Sequence, residues 1–274
     1  MYILGYFFSL LIGIALGMLG GGGAILAVPI MVFLIGLDAT SATSYSLFVV
    51  GATSFVGAFT YFRQHPEQSK LIQKTVLSFA PPTIIIGILV RKAIKSYLPA
   101  ILFEINGIEI TKDFLIMTLF ALIMLIVAKS MIAPKKQATT ACEVPVYSTL
   151  KIILQGIKVG IVAGIAGAGG GFLITPVLVK GLKIEMRTAV GISLWIISAN
   201  SWFIFLGDWA LGGKEFAPDW GFLLGFTAIA ILGIFIGNYY SKAISNEKLK
   251  PSFGYFVLIM AVFIIITEIC TSGS

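Results

Sequence analysis

The sequence predicts an all-α integral membrane protein with two inverted-topology repeats, each a glycine-broken (re-entrant) helix pair followed by three transmembrane helices. Hydrophobic residues make up 58% of the 274 residues and charged residues only 11%, against about 25% charged residues in soluble domains. Apolar runs near or above roughly 18 residues recur from end to end, as bilayer-spanning helices require. A β-barrel is disfavoured because these runs do not alternate between polar and apolar residues.

An internal repeat divides the chain into two halves. "GIALGMLGGGGAILAVPIMV" (13–32) aligns without a gap with "GIVAGIAGAGGGFLITPVLV" (160–179), at an offset of 147 residues. Beyond these segments the same register pairs Ala42 with Ala189, Ser46 with Ser193 and Ser54 with Ser201. Further on, "GILVRKAI" (87–94) resembles "GNYYSKAI" (237–244) after a small shift. The repeat predicts an N-terminal transmembrane repeat (1–132), a polar cytoplasmic linker (133–149) and a C-terminal transmembrane repeat (150–274), which together form one domain.

The charges of the loops favour opposite orientations for the two halves. Cytoplasmic loops collect Lys and Arg, so the basic linker and loop 180–187 are both predicted inside. Segment 150–182 then enters and leaves by one face, as a hairpin with glycines at its tip. The inverted scheme places the N-terminus outside and the basic loop 63–74 inside; the basic group beginning at Arg91 is the exception. A full crossing followed by a short continuing helix is the rival interpretation.

The glycine clusters of the two hairpins predict a binding site. Non-helical backbone at membrane depth requires burial in protein or a watery cavity. A helix that begins after such a break presents unpaired N–H groups and the positive end of its dipole, which together bind anions. Broken helices near the midplane of an inverted repeat mark transport sites. Close helix packing is the alternative for the clusters and the favoured role of Gly13, Gly17, Gly160 and Gly164.

Polar residues on the helices after each hairpin complete the predicted site, although serines in membrane helices commonly bond back to their own helix. The predicted substrate-binding residues are Gly21, Gly22, Gly23, Ala24, Ser46, Gly169, Gly170, Gly171, Phe172, Ser193 and Asn200.

Other chemistries find little support in the sequence. The carboxylates Asp208, Glu104 and Glu268 lie at segment edges, so no membrane-buried carboxylate is evident, which weakens cation transport. The net charge of +7 lies in short loops, where it sets topology and attracts anionic lipid headgroups, so no nucleic acid is expected. The sequence shows no nucleotide-binding motif, metal-ligand set or catalytic constellation. We therefore expect no cofactor, no metal and no enzymatic activity.

Two segments carry a family resemblance. "GMLGGGGAILAVPIMVFLIGLDATSATSYSLFVV" and "GIAGAGGGFLITPVLVKGLKIEMRTAVGISLWIIS" resemble the two repeats of the sulfite exporter TauE/SafE family of membrane transporters. The signature is a glycine-rich turn, a proline and a later Ala-x-x-x-Ser-Leu tract; the second turn departs from it with Ala168 opposite Gly21. The resemblance implies a secondary transporter of the cell membrane that exports sulfite or an organosulfonate by alternating access.

Several alternatives remain open at the level of sequence. The solute could instead be a carboxylate, a cation or a neutral osmolyte, and a non-transporting membrane scaffold is a more distant reading. The expected partners are the small anionic substrate and the lipid bilayer, and a homo-oligomer is compatible with the sequence. The coupling ion and the direction of transport do not follow from these residues.

Overall fold

The described part of the chain is almost entirely helical. This computed structural model describes residues 2–97, 101–105, 108–132, 149–166, 171–211, 219–241 and 246–272. Five helical stretches among them are long and apolar enough to cross a membrane: Leu4–Leu34, Thr40–Gln64, Pro66–Ile94, Met186–Ala210 and Trp220–Ser241. The predicted all-α membrane class is confirmed.

The N-terminal half contains helices α1 to α5 and a small β-hairpin. Its elements are α1 (Tyr2–Leu19), a 3₁₀-helix (Gly20–Leu26), α2 (Ala27–Pro29), a π-helix (Ile30–Leu34), α3 (Ala39–Gln64), a second 3₁₀-helix (Pro66–Gln68), α4 (Ser69–Tyr97), β1 (Ile101–Ile105), β2 (Ile108–Thr111) and α5 (Lys112–Ile132). The two strands pair in antiparallel fashion. The sequence analysis did not predict them, because Glu104 and Glu109 make this stretch look like a charged loop.

The C-terminal half follows the same helical order in its described residues. Its elements are α6 (Thr149–Ala166), α7 (Gly171–Pro176), a π-helix (Val177–Gly181), α8 (Met186–Leu211), α9 (Trp220–Ser241) and α10 (Asn246–Ser272). Of the predicted linker 133–149, only Thr149 is described, and it begins α6. The rest of the linker lies outside the described residues, so the domain boundaries stay a prediction.

The chain reverses direction at the first glycine cluster. Gly20 has a φ of +66°, a left-handed conformation that glycine adopts without steric cost. Beyond it the chain packs back on α1, since a Cβ built on Gly23 would lie 2.7 Å from the carbonyl oxygen of Ile12. At the open end, a Cβ built on Gly5 would lie 3.7 Å from the side chain of Ile35. A straight helix would separate those two residues by about 45 Å, so this segment is a hairpin and not one continuous crossing.

Glycines allow α1 to pack closely along α9 of the other half. A Cβ built on Gly13 would lie 2.0 Å from the carbonyl oxygen of Ala230, and one on Gly17 would lie 2.5 Å from that of Ile234. Residue numbers rise together along both helices, so the two helices run parallel. The predicted packing role of Gly13 and Gly17 agrees with these contacts, since small residues let membrane helices approach each other.

Helices α6 and α4 form the equivalent pair. A Cβ built on Gly160 would lie 2.8 Å from the carbonyl oxygen of Thr83, and one on Gly164 would lie 2.7 Å from that of Gly87. All four residues stand 147 positions from their counterparts in the α1–α9 pair. The repeat therefore continues without a gap through α4 and α9, and the shifted alignment of "GILVRKAI" with "GNYYSKAI" is wrong.

Helices α3 and α8 cross in antiparallel fashion. They are equivalent in the repeat, because Ala39–Gln64 and Met186–Leu211 are both 26 residues long and start 147 positions apart. The contacts run in opposite order along the two helices: Ser44 with Asp208, Gly51 with Ser198, and Tyr61 with Gly191. Antiparallel packing of equivalent helices is the arrangement that an inverted repeat requires. The inverted topology in the bilayer stays a prediction.

Each half widens its helix at the same point in the second arm of its hairpin. Pro29 ends α2 and Pro176 ends α7, and a five-residue π-helix follows each proline. Proline removes a backbone donor and its ring clashes with the preceding turn, while π-helical turns are frequent at functional sites. The interruption that the two prolines suggest is therefore present in both halves.

Candidate functional site

The first glycine break contacts the start of α7 inside the molecule. A Cβ built on Gly21 would lie 1.7 Å from the carbonyl oxygen of Gly171 and 2.3 Å from its carbonyl carbon. An approach this close between two backbones requires a residue without a side chain. Two segments that are 150 positions apart in the sequence therefore meet at one buried point.

The other predicted residues of the two breaks are neighbours of Gly21 and Gly171 in the sequence. Gly22, Gly23 and Ala24 are all buried in the 3₁₀-helix that follows α1. Phe172 belongs to α7. Gly169 and Gly170 lie outside the described residues.

Ser193 connects the first break with the second hairpin. A Cβ built on Gly20 would lie 2.7 Å from Ser193 Oγ. Thr175 of α7 donates a hydrogen bond to that oxygen at 3.0 Å, and Ser193 donates to the carbonyl of Val190 at 2.8 Å. The side chain is fully buried. Ser193 thus lies where elements of both halves converge, as its place in the repeat predicts.

One face of α8 lies against the contact between the two breaks. Ile197 Cδ1 would lie 2.9 Å from a Cβ built on Gly21 and 3.0 Å from one built on Gly171. Ser193 and Asn200 share this face of α8, since they stand four residues before and three residues after Ile197. Asn200 is fully buried. The helix therefore carries two of the predicted polar residues on the face that meets the glycines.

Ser46 bonds to its own helix in the same way as its repeat counterpart Ser193. It is fully buried on α3 and donates a hydrogen bond to the carbonyl of Thr43 at 2.8 Å. This is the bond to its own helix that serines commonly make in membrane proteins. What distinguishes Ser193 is therefore its contact with Gly20 and Thr175.

Buried hydroxyls without a hydrogen-bond partner occur near the α3–α8 crossing. Thr53 and Ser54 on α3 and Ser201 on α8 are fully buried, and their hydroxyl oxygens have no partner. All three stand within three positions of Gly51 or Ser198, where the helices cross. Buried polar groups without partners are rare and mark positions where a ligand or water binds. None of the three is among the predicted substrate-binding residues, although their polarity within an apolar helix is visible in the sequence.

A buried ion pair lies at one end of α8. Arg91 of α4 donates from Nε to Oδ2 of Asp208 at 2.6 Å, and each side chain is only 7% exposed. The same guanidinium donates to the hydroxyls of Thr43 and Ser44, both at 2.9 Å. Asp208 lies near the end of α8, at a segment edge as expected, but it is buried, so the expectation of no buried carboxylate is wrong. A local pattern cannot reveal this pairing, because the partners are 117 positions apart.

An open cavity of about 510 Å³ lies at the opposite end of α3 and α8. Arg187 at its edge is exposed and adds positive charge, which attracts anions. The cavity adjoins the first glycine break, because Val190 in its wall lies 3.2 Å from a Cβ built on Gly20. We call this end of the bundle the Arg187 end and the end with the ion pair the Arg91 end. The cavity is lined by Gly17, Met18, Tyr61, Gln64, His65, Met186, Arg187, Val190, Asn238 and Ser241.

Comparison with known proteins decides the family. The family model described as Sulfite exporter TauE/SafE matches residues 6–264. The chain belongs to the sulfite exporter TauE/SafE family. Within the described part of this TauE/SafE chain, no group of three or more His, Cys, Asp or Glu residues could hold a metal ion.

Curated relatives of this TauE/SafE chain are named as membrane transporters. A probable membrane transporter protein of Xylella fastidiosa (strain Temecula1) is 26% identical over 265 residues, which cover 93% of this chain and 91% of the relative. One of Haemophilus influenzae is 23% identical over 268 residues, covering 92% and 93%. The probable membrane transporter protein YdhB of Bacillus subtilis is 27% identical over 187 residues, covering 68% and 70%. This TauE/SafE member is accordingly a multi-pass membrane transporter.

Proposed function

We propose that this TauE/SafE chain is a secondary transporter that exports a small sulfur-containing anion, such as sulfite or an organosulfonate, by alternating access. The anion binds between the two glycine breaks. The close contact of Gly21 with Gly171 carries this proposal, because it brings the first glycine break and the start of α7 to a single buried point.

The chemistry at this point suits a small oxyanion. A helical segment begins at each break. The N-terminal end of such a segment carries unpaired backbone N–H groups and the positive end of the helix dipole. Ser193 lies beside Gly20, and its hydroxyl would donate to the anion in place of the carbonyl of Val190. A sulfur oxyanion accepts several hydrogen bonds in different directions, so it can be held without a buried cation.

The cavity at the Arg187 end supports loading from the cytoplasm. Loop 180–187 is basic, which predicts a cytoplasmic position for this end. An anion entering there passes the exposed Arg187 and reaches Val190 in the cavity wall, which lies 3.2 Å from a Cβ built on Gly20. Release on the opposite side of a membrane that is negative inside is favourable for an anion.

Cation transport receives less support from the same structure. Asp208 is buried, but Arg91 neutralises its charge through a bond of 2.6 Å. A carboxylate held in this way does not offer the free negative charge that a cation site needs. The solute class that fits the glycine breaks is therefore an anion.

Flux into and out of proteoliposomes tests the proposal. Purified protein is assayed with sulfite, thiosulfate, sulfoacetate, taurine and acetate. We expect saturable flux of sulfite or a sulfonate, with much slower flux of acetate. Acetate flux equal to or above that of every sulfur anion would contradict the proposed substrate class.

A matched pair of serine variants tests the position of the site. Ser193→Ala removes the hydroxyl beside Gly20, and we expect flux at low substrate concentration to fall about tenfold, the equivalent of 1.4 kcal/mol. Ser9→Ala removes another buried hydroxyl, which bonds the carbonyl of Phe226 between α1 and α9, and should leave the apparent KM unchanged. Equal behaviour of the two variants would place the anion elsewhere.

A further inference from the structure

The ion pair at the Arg91 end is part of a four-residue network that joins three helices. Arg91 comes from α4, Thr43 and Ser44 from α3, and Asp208 from α8. Besides the bonds from Arg91, Ser44 donates to Oδ2 of Asp208 at 2.8 Å. Each charged group in the network is matched by an opposite charge or a hydroxyl, so the network closes this end of the bundle with polar bonds.

The repeat gives these four residues counterparts at the Arg187 end. At the offset of 147, Thr43 and Ser44 correspond to Val190 and Gly191, Arg91 corresponds to Asn238, and Asp208 corresponds to Tyr61. The ring of Tyr61 lies over Gly191, whose added Cβ would meet it at 2.2 Å. Val190, Asn238 and Tyr61 all line the open cavity.

The same positions of the repeat therefore do opposite things at the two ends. At the Arg187 end they form the wall of a cavity that leads to the first glycine break. At the Arg91 end they are bonded to one another and buried. The end beside the first glycine break thus carries a cavity, whereas the Arg91 end is bonded shut, an asymmetry that alternating access requires of a single state.

We propose that the Arg91–Asp208 pair is the gate that closes the transport pathway at the Arg91 end. This inference rests on the proposed function, since the pathway is the one through the glycine breaks. Opening toward this end separates α4 from α8 and breaks the bond between Arg91 and Asp208. The hydroxyls of Thr43 and Ser44 orient the guanidinium while the gate is closed.

Thiol labelling measures this gate without a substrate. The probe is Ser46→Cys, because Ser46 is fully buried on α3 about one turn inside Thr43. The background chain carries Cys142→Ser and Cys270→Ser, which remove the two native cysteines. The protein is placed in lipid nanodiscs and treated with a membrane-impermeant thiol reagent.

Neutralising either partner should open the gate. In Arg91→Gln and in Asp208→Asn we expect the probe to react about tenfold faster or more, which corresponds to a gate weakened by 1.4 kcal/mol. Lys92→Gln is the matched control, since Lys92 is adjacent but exposed, and labelling should not change. Reaction rates in both gate variants equal to that of the control would overturn the proposal.

Two further variants separate gating from loss of structure. The charge-swapped double variant Arg91→Asp with Asp208→Arg should return the probe toward protection. A second probe, Ser9→Cys, is fully buried between α1 and α9 and should remain protected in the gate variants. Equal acceleration at both probes would show general loosening and would refute the gate.

The labelling result and the flux result can fail independently. Labelling as expected without transport of any sulfur anion would support the gate and refute the proposed substrate. Export of sulfite without any change in labelling would support the proposed function and refute the gate.

Discussion

The contact between Gly21 and Gly171 makes Gly21→Ala a severe change despite its size. The added Cβ would lie 1.7 Å from a carbonyl oxygen, whereas ordinary contacts begin near 3.4 Å. The two breaks must therefore move apart by about 1.7 Å. No side chain can rotate away to relieve the clash, because the opposing atoms belong to the backbone of Gly171.

The size of the effect follows from the cost of overpacking. Extra atoms in a well-packed interior cost about 1–3 kcal/mol, and a clash between backbones belongs at the upper end of that range. For a chain of this size each kcal/mol lowers Tm by about 2–4 °C. We therefore expect Tm to fall by roughly 6–12 °C, with flux reduced about tenfold or more because the breaks no longer meet.

Gly207→Ala is the matched control for this prediction. Gly207 lies inside α8, and an added Cβ would meet nothing within 4 Å. Alanine favours helix over glycine by about 1 kcal/mol, so this variant should keep or slightly raise Tm and keep its flux. Thermal unfolding followed by tryptophan fluorescence in detergent, together with liposome flux, provides both measurements. If the two variants share the same Tm and flux, the breaks do not touch in the manner described.

Three further predictions follow from buried contacts. Asp208→Leu should lower the free energy of unfolding by about 3–5 kcal/mol, because it leaves the buried charge of Arg91 unpaired. Adding Arg91→Met should restore most of that free energy, since an apolar pair costs less than an unpaired buried charge. Denaturant unfolding of both variants measures this. Gly13→Ala should cost about 1–3 kcal/mol by forcing α1 away from Ala230, seen as a lower Tm. Ser193→Ala should cost about 1 kcal/mol for its lost hydrogen bonds and weaken the rise in Tm that sulfite produces.

The glycine breaks and the repeat could be predicted because their signal is local and unusual. Four glycines in an apolar run do not belong in a helix interior, and the ungapped register of 147 pairs Gly20 with Gly167 and Pro29 with Pro176. The same register places the π-helices after both prolines. Ser193 is predicted in the same way, because both halves keep a serine at this position of the repeat.

Contacts between residues that are distant in the sequence could not be predicted from local patterns. Counting loop charges treats every Arg and Asp as a marker of the membrane surface, so Arg91 and Asp208 were both assigned to segment edges. Their burial depends on each other and on two hydroxyls of α3, and only the packing of α3, α4 and α8 reveals it. The two serines show a further limit: both donate to a carbonyl of their own helix, and the sequence could not show that Ser193 also lies against the first glycine break.

The pairing of α1 with α9 has a consequence for the synthesis and membrane insertion of the protein. Ser9 donates its hydrogen bond to the carbonyl of Phe226, 217 positions later. At about 5–20 residues per second, the ribosome delivers α9 roughly 10–40 s after α1. Throughout that interval the glycine stripe of α1 faces lipid or the insertion machinery. Each half should therefore be short-lived when made alone, and two half-genes expressed together should rebuild the transporter.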